Sequence, residues 1–97
     1  MKPEKLDKQE IAKELEKLPG WTIKDGNLHR TFEFADFSEA FGFMTRTALA
    51  AELLNHHPDW SNGWNKVVVN LSTHSAGGLS KLDFDLAGKM QKMAPKK

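Results

Sequence analysis

Three of the four histidines in this chain fall in two short contexts, Asn55-His56-His57-Pro58-Asp59-Trp60 and Ser72-Thr73-His74-Ser75. The ordinary pKa of imidazole, about 6.5, lies near working pH, so histidine gives or takes a proton with little tuning. A pair at the end of one element and a third at the end of another can converge on one pocket and divide proton transfers between them. Each also has a plainer use. A His pair at a helix C-terminus favours the helix dipole when charged, and His74 alone suits a surface position at a strand end. His29 alternates with its neighbours in a strand pattern and reads as structural.

Other chemistries fit these residues less well. Zinc accepts three His plus water, but neighbouring helical residues point about 100° apart, and no HExxH is present. Ser72, Thr73 and Ser75 flank His74 without the GxSxG elbow that an activated serine requires. Gly77-Gly78 lacks the lysine of a phosphate-binding loop. Among the carboxylates, Glu52 stands four residues before His56, which predicts a shared helical face and an oriented imidazole. Asp83 suits either support of a histidine or a helix cap. Trp60 and Trp64 suit an apolar wall for a planar heterocycle, core packing or an oligomer contact.

The elements that would carry these residues follow from periodicity. Residues 4–18 read as a helix, with Ile11, Leu15 and Leu18 on one stripe and Pro19-Gly20 as the stop. Trp21-Thr22-Ile23 and the alternating Leu28–Phe34 segment read as a hairpin around Asp25-Gly26-Asn27. A long helix spans 36–54, capped by Asp36 or Ser38. Phe37, Phe41, Met44, Ala48 and Ala51 are its expected inner face, and Pro58 its end. Asp59–Asn62 and Lys66–Thr73 read as a second hairpin. Val67, Val69, Leu71 and Thr73 should face one way, and Val68, Asn70, Ser72 and His74 the other. Ser80 and Asp83 form a capping box for a last helix lined by Leu82, Leu86, Met90 and Met93. The order α-ββ-α-ββ-α predicts an α+β two-layer sandwich, a four-stranded antiparallel sheet with three helices packed on one face.

The bulk properties bound the rest. Ninety-seven residues make one domain, with a core expected at about 4–93 and a frayed tail at 94–97. A chain of this size buries only about 60–65% of its unfolded surface, and oligomerisation is a common way to gain more. Fourteen Lys and Arg against thirteen Asp and Glu leave a formal net charge of +1, which gives no drive toward nucleic acid or membrane. The lysines near both ends, from Lys2 to Lys8 and from Lys89 to Lys97, read as solvating. With no cysteine, disulfides and thiolate chemistry are excluded. No stretch reads as a signal peptide or a membrane span, and the expected location is cytoplasmic.

Taken together, Ala51-Glu52, His56-His57-Pro58-Asp59-Trp60, Asn65-Lys66-Val67, Leu71-Ser72-Thr73-His74, Ala76-Gly77-Gly78-Leu79-Ser80 and Asp83 resemble the pterin-4a-carbinolamine dehydratase signature. The resemblance runs over roughly residues 19–90. It departs at Asn55, where the family often has Asp, and at Trp64, where Tyr is usual. It implies dehydration of 4a-hydroxytetrahydrobiopterin to quinonoid dihydropterin, recycling the pterin of aromatic amino-acid hydroxylases. It implies a pocket that uses His56, His57 and His74, and the acid–base chemistry suggests His57 and His74 as the main pair with His56 assisting or positioning. Substrate contacts would come from Asn55, His56, His57 and the strand end Ser72, Thr73, His74 and Ser75, with Glu52, Pro58, Trp60 and Asp83 in support. No metal and no organic cofactor are implied, and a homodimer or homotetramer is. The alternative is a non-catalytic pterin-binding protein, or a dimerisation or transcriptional coactivator module. The stripe Leu82, Leu86, Met90 and Met93 would offer the latter a surface, although core packing accounts for it equally well.

Overall fold

The computed structural model describes residues 3–95; Lys2, Lys96 and Lys97, which the sequence places in solvating ends, lie outside them. The elements are α1 (Lys8–Glu16), β1 (Thr22–Lys24), β2 (Asn27–Glu33), α2 (Phe37–Leu54), β3 (Asp59–Gly63), β4 (Lys66–Leu71) and α3 (Lys81–Met93), with a 3-10 turn at His74–Ala76. The four strands form one antiparallel sheet in the order β1-β2-β4-β3, with the helices on one face, as the sequence predicts.

Register follows from alternation. Leu28 lies opposite Leu71, and Phe32 opposite Val67. All four are buried, so β2 and β4 turn one continuous apolar face to the helices, since a slip of one residue would expose it. The other face carries His29, Asn70 and Asp59 in a row across three strands. There His29 Nδ1 meets Asn70 Oδ1 at 2.9 Å, which gives His29 the structural partner its strand position calls for. The β1–β2 turn has Asp25 and Gly26 both at positive φ, the two-residue geometry that matches strand twist.

Phe43 of α2 closes the core. Its ring lies 4.8 Å from Phe32 and 4.9 Å from Phe34, within the range where aromatic pairs contribute beyond burial. Arg30 also faces inward. Its guanidinium lies 4.3 Å from the Phe32 ring centroid and donates to Pro19 O and Gln91 Oε1. Burial pulls its pKa down from the ordinary value.

The start of α1 and the residue that ends α2 differ from the sequence reading. Helix α1 begins at Lys8 because Asp7 and Glu10 form a reciprocal capping box there, each accepting at 2.9 Å. Residues 3–6 instead run alongside the loop before α3, tied by Leu6 N to Leu79 O at 2.8 Å. Helix α2 has the expected span and is capped by Asp36, the first of its two candidates, but its end is set by Asn55 at φ +52 and not by Pro58.

The inner face of α2 also differs. Ala40, Phe43, Thr47 and Ala51 are buried, a stripe turned by about a fifth of a turn from the expected one at 3.6 residues per turn. Small residues on that stripe let the helix approach the sheet. Phe37 and Phe41 are left outside, 49% and 55% exposed, with ring centroids 5.7 Å apart. On α3, Leu86 and Met90 of the apolar stripe are fully buried and Met93 packs against the core, while Leu82 is only partly buried. Ala94 N caps α3 on Met90 O and packs against the core. Among the described residues, no helix is long and apolar enough to cross a membrane.

Candidate functional site

Three elements meet at one end of the sheet: the C-terminus of α2, the C-terminus of β4 and the N-terminus of α3. The left-handed turn at Asn55 ends α2 with Asn55 N on Glu52 O and His56 N on Ala51 O. Asn tolerates that region better than other side-chain-bearing residues. Pro58 biases His57 away from helix, so the His pair lies on an irregular link into β3. On the other side, Thr73 leaves β4 and the chain turns through His74–Ala76 to Gly77 at φ +75. The loop closes on itself through Thr73 N to Gly78 O at 3.0 Å.

Between these ends lies a cavity of about 630 Å³. Asn55, His56, His57, Ser72, Thr73, His74 and Ser75 line it, so every histidine and strand-end residue proposed from sequence reaches one space. Leu54, Leu82 and Pro3 complete the wall. Leu54 and Leu82 supply apolar surface, and sequence periodicity assigns such residues to a core. Pro3 comes from the strap before α1, and no motif signals it.

The three rings have different settings. His56 is buried, and its Nε2 lies 2.6 Å from Asp83 Oδ1. His57 is 56% exposed, and its Nε2 lies 2.6 Å from Glu52 Oε1. Glu52 therefore meets His57 and not His56, because the helix ends between them. His74 is exposed at the start of its turn. Asp83 is fully buried and also accepts from Thr73 Oγ1 at 2.8 Å and Ser80 N at 2.9 Å. It serves both the capping box expected at α3 and a histidine.

The tryptophans lie elsewhere. Trp60, on β3, pairs with Val69 of β4 and packs against the core. Trp64 lies in the turn before β4, at the opposite end of that strand from His74, and is 68% exposed. Thr73 lines the cavity, but its hydroxyl is engaged with Asp83 and Ser80. Among the described residues, no group of three or more His, Cys, Asp or Glu is arranged to hold a metal ion. A second hollow of about 690 Å³ runs between β2 and the C-terminal end of α3. It contains no histidine, and its Arg30 is spent on Pro19 and Gln91.

A cavity with two imidazoles on carboxylates, a third exposed imidazole, and hydroxyl and amide side chains can protonate a leaving group and take a proton from the same small molecule. A family model described as pterin 4 alpha carbinolamine dehydratase matches residues 4–93. A protein of Sinorhizobium fredii (strain NBRC 101917 / NGR234), named "Putative pterin-4-alpha-carbinolamine dehydratase", is 55% identical over 96 residues, covering 97% of this chain and 91% of its own length. A relative of the same name from Rhizobium meliloti (strain 1021) is 55% identical over 96 residues, 97% and 92% of the two chains. The crystal structure of transcriptional coactivator/pterin dehydratase from Brucella melitensis matches with a TM-score of 0.91 at 45% identity, over 94% of this chain and 99% of that chain.

Proposed function

The chain belongs to the pterin 4 alpha carbinolamine dehydratase family, and from that premise we propose that it removes water from 4a-hydroxytetrahydrobiopterin by histidine acid–base catalysis. The observation that carries this reading is the convergence of His56, His57 and His74 on one cavity.

The chemistry asks for little else. The substrate bears a hydroxyl on ring carbon 4a beside N5. The nitrogen lone pair forms the C4a–N5 double bond as the C4a–oxygen bond breaks. A general acid protonates the leaving oxygen, and a general base takes a ring N–H proton, so the products are neutral quinonoid dihydropterin and water. Each such transfer contributes typically about 10²–10⁴-fold. Leu54 and Leu82 give the flat ring an apolar wall, while Asn55, Ser72 and Ser75 offer hydrogen bonds to its polar edge.

Stopped-flow absorbance of 4a-hydroxytetrahydropterin decay tests the proposal. The wild type should accelerate decay, and His57→Ala and His74→Ala should lose that acceleration while remaining folded by circular dichroism. Variants that keep the full rate would sink the histidine mechanism. A wild type that matches buffer would favour the non-catalytic reading.

Cytoplasmic location and a link to an aromatic amino-acid hydroxylase that supplies the substrate belong to the same proposal. So does assembly into a homodimer or homotetramer, which the outer face of α2 supports. Phe37, Phe41, Leu49 and Leu53 are large apolar residues there, from 49% to 86% exposed, and oligomer interfaces commonly cover such a face. A dimerisation module would draw on this face, since Leu86 and Met90 at the centre of the α3 stripe are buried.

A further inference from the structure

We infer that Pro3 is a specificity-determining residue for this reaction: its ring lies against the substituent that the substrate carries on C6, and it favours the three-carbon chain of a biopterin over a shorter group. The inference rests on the dehydratase reading above and adds a contact from outside the elements that build the site.

The lining of the cavity divides by chemistry. Its polar residues all belong to the exits of α2 and β4, where they meet the reacting carbon and the polar edge of the ring. Leu54 and Leu82 stand on α2 and α3 and give the ring face a fixed wall. Pro3 remains, on neither helix nor strand. Proline has no backbone N–H to donate, so Pro3 offers its ring as apolar surface. On the substrate, C6 is bonded to N5, two bonds from C4a, and lies at the far end of the bicycle from the pyrimidine edge. Once that edge and C4a are held, the C6 substituent is the part still without a partner. In a biopterin it is a flexible chain that ends in a methyl group.

The setting of the strap fits this part. Residues 3–6 run alongside the loop that follows His74 and Ser75. Leu6 N donates to Leu79 O at 2.8 Å, and the Leu6 side chain packs against the core. The stem of Lys5 lies across Gly78: a Cβ at that position would come within 2.9 Å of Lys5 Cε and 3.4 Å of its Cγ and Cδ. Only a residue without a side chain admits so close an approach. The strap is therefore tied at Leu6 and laid along the loop by Lys5, and Pro3 beyond them reaches the cavity. The groups that do the chemistry stay on elements packed into the core, while the wall for the variable substituent sits on a segment with one backbone tie. Covering one methylene-sized piece of the substituent changes affinity about fourfold.

Two substrates separate this contact from the rest of the site. They are the 4a-hydroxy forms of tetrahydrobiopterin, with its three-carbon chain, and of 6-methyltetrahydropterin, with a methyl group. Stopped-flow decay of each is measured with the wild type, Pro3→Gly and Leu6→Pro, all checked for helical signal by circular dichroism. Pro3→Gly should lower kcat/KM for the biopterin substrate about fourfold relative to the methyl substrate, with the loss in KM. Leu6→Pro keeps Pro3 but removes the N–H that ties the strap to Leu79, and it should shift the same ratio in the same direction.

A purely structural role for Pro3 would move both substrates together. Pro3→Gly that lowers kcat/KM equally for both substrates, or for neither, overturns the inference and leaves the dehydratase reading standing. That result decides by itself if Leu6→Pro does not fold. A folded Leu6→Pro with the wild-type ratio overturns the part given to the strap. A wild type that leaves both substrates at the buffer rate overturns the dehydratase reading, and this inference with it.

Discussion

His57 Nε2 meets Glu52 Oε1 at 2.6 Å although the two are five residues apart, because the left-handed Asn55 ends the helix between them. Both side chains are mostly exposed, 56% and 77%, and exposed pairs contribute little to stability. Glu52→Gln should therefore shift unfolding by less than about 0.5 kcal/mol in a urea titration. Its kcat should fall by less than that of His57→Ala in stopped flow. A stability loss as large as that of a core substitution would contradict the exposed setting.

Asn55 serves the backbone and the cavity at once, and two substitutions separate the roles. Asn55→Gly suits φ +52 and should leave stability within about 0.5 kcal/mol. Asn55→Ala should cost about 1 kcal/mol, because it keeps the Cβ that crowds the following carbonyl and loses the short polar side chain that makes this conformation tolerable. If the side chain contacts substrate, both raise KM. Urea midpoints and KM measured on both proteins check this.

Much of the site could be read in the sequence, because its residues stand in two polar clusters within otherwise apolar segments. His56 and His57 close a helix, Ser72–Ser75 close a strand, and both ends reach the cavity. Asp83 was recognisable as a cap at the third position after Ser80, but its approach to His56 depends on how α2 and α3 pack, which no local pattern encodes. The pairing of Glu52 was misjudged because four-residue spacing assumes that the helix continues, and a single positive-φ residue breaks that assumption. Pro3 left no signal, since the strap is held by one backbone bond, Leu6 N to Leu79 O. On α2 the stripe with Phe37 and Phe41 is turned outward, and Ala40, Phe43, Thr47 and Ala51 are buried instead.

Thr47 is fully buried, and its hydroxyl has no hydrogen-bond partner among the described residues. A buried unpaired hydroxyl costs free energy that a methyl group of similar shape does not. Thr47→Val should stabilise the fold by about 1 kcal/mol. The urea midpoint should rise with an unchanged slope, and kcat should remain at the wild-type value.

Leu49 and Leu53 are 69% and 86% exposed on the outer face of α2. If that face joins copies of the chain, the double substitution Leu49→Glu with Leu53→Glu should reduce the assembly to monomer, because burying two unpaired charges is costly. Size-exclusion chromatography with light scattering reads the mass. A wild type that is already monomeric would remove the proposal.

The bonds around Asp83 join Thr73, at the exit of β4, to His56, at the exit of α2, which lies 27 residues before Asp83 in the chain. None of these groups can hold the others until α2, β4 and α3 have all docked. A chain with one element undocked would not possess a weaker version of the site, because its carboxylate and imidazole would be separate solvated groups. Turnover therefore doubles as a gauge of complete folding, and its return after dilution from denaturant should lag behind the return of helical signal and coincide with final packing.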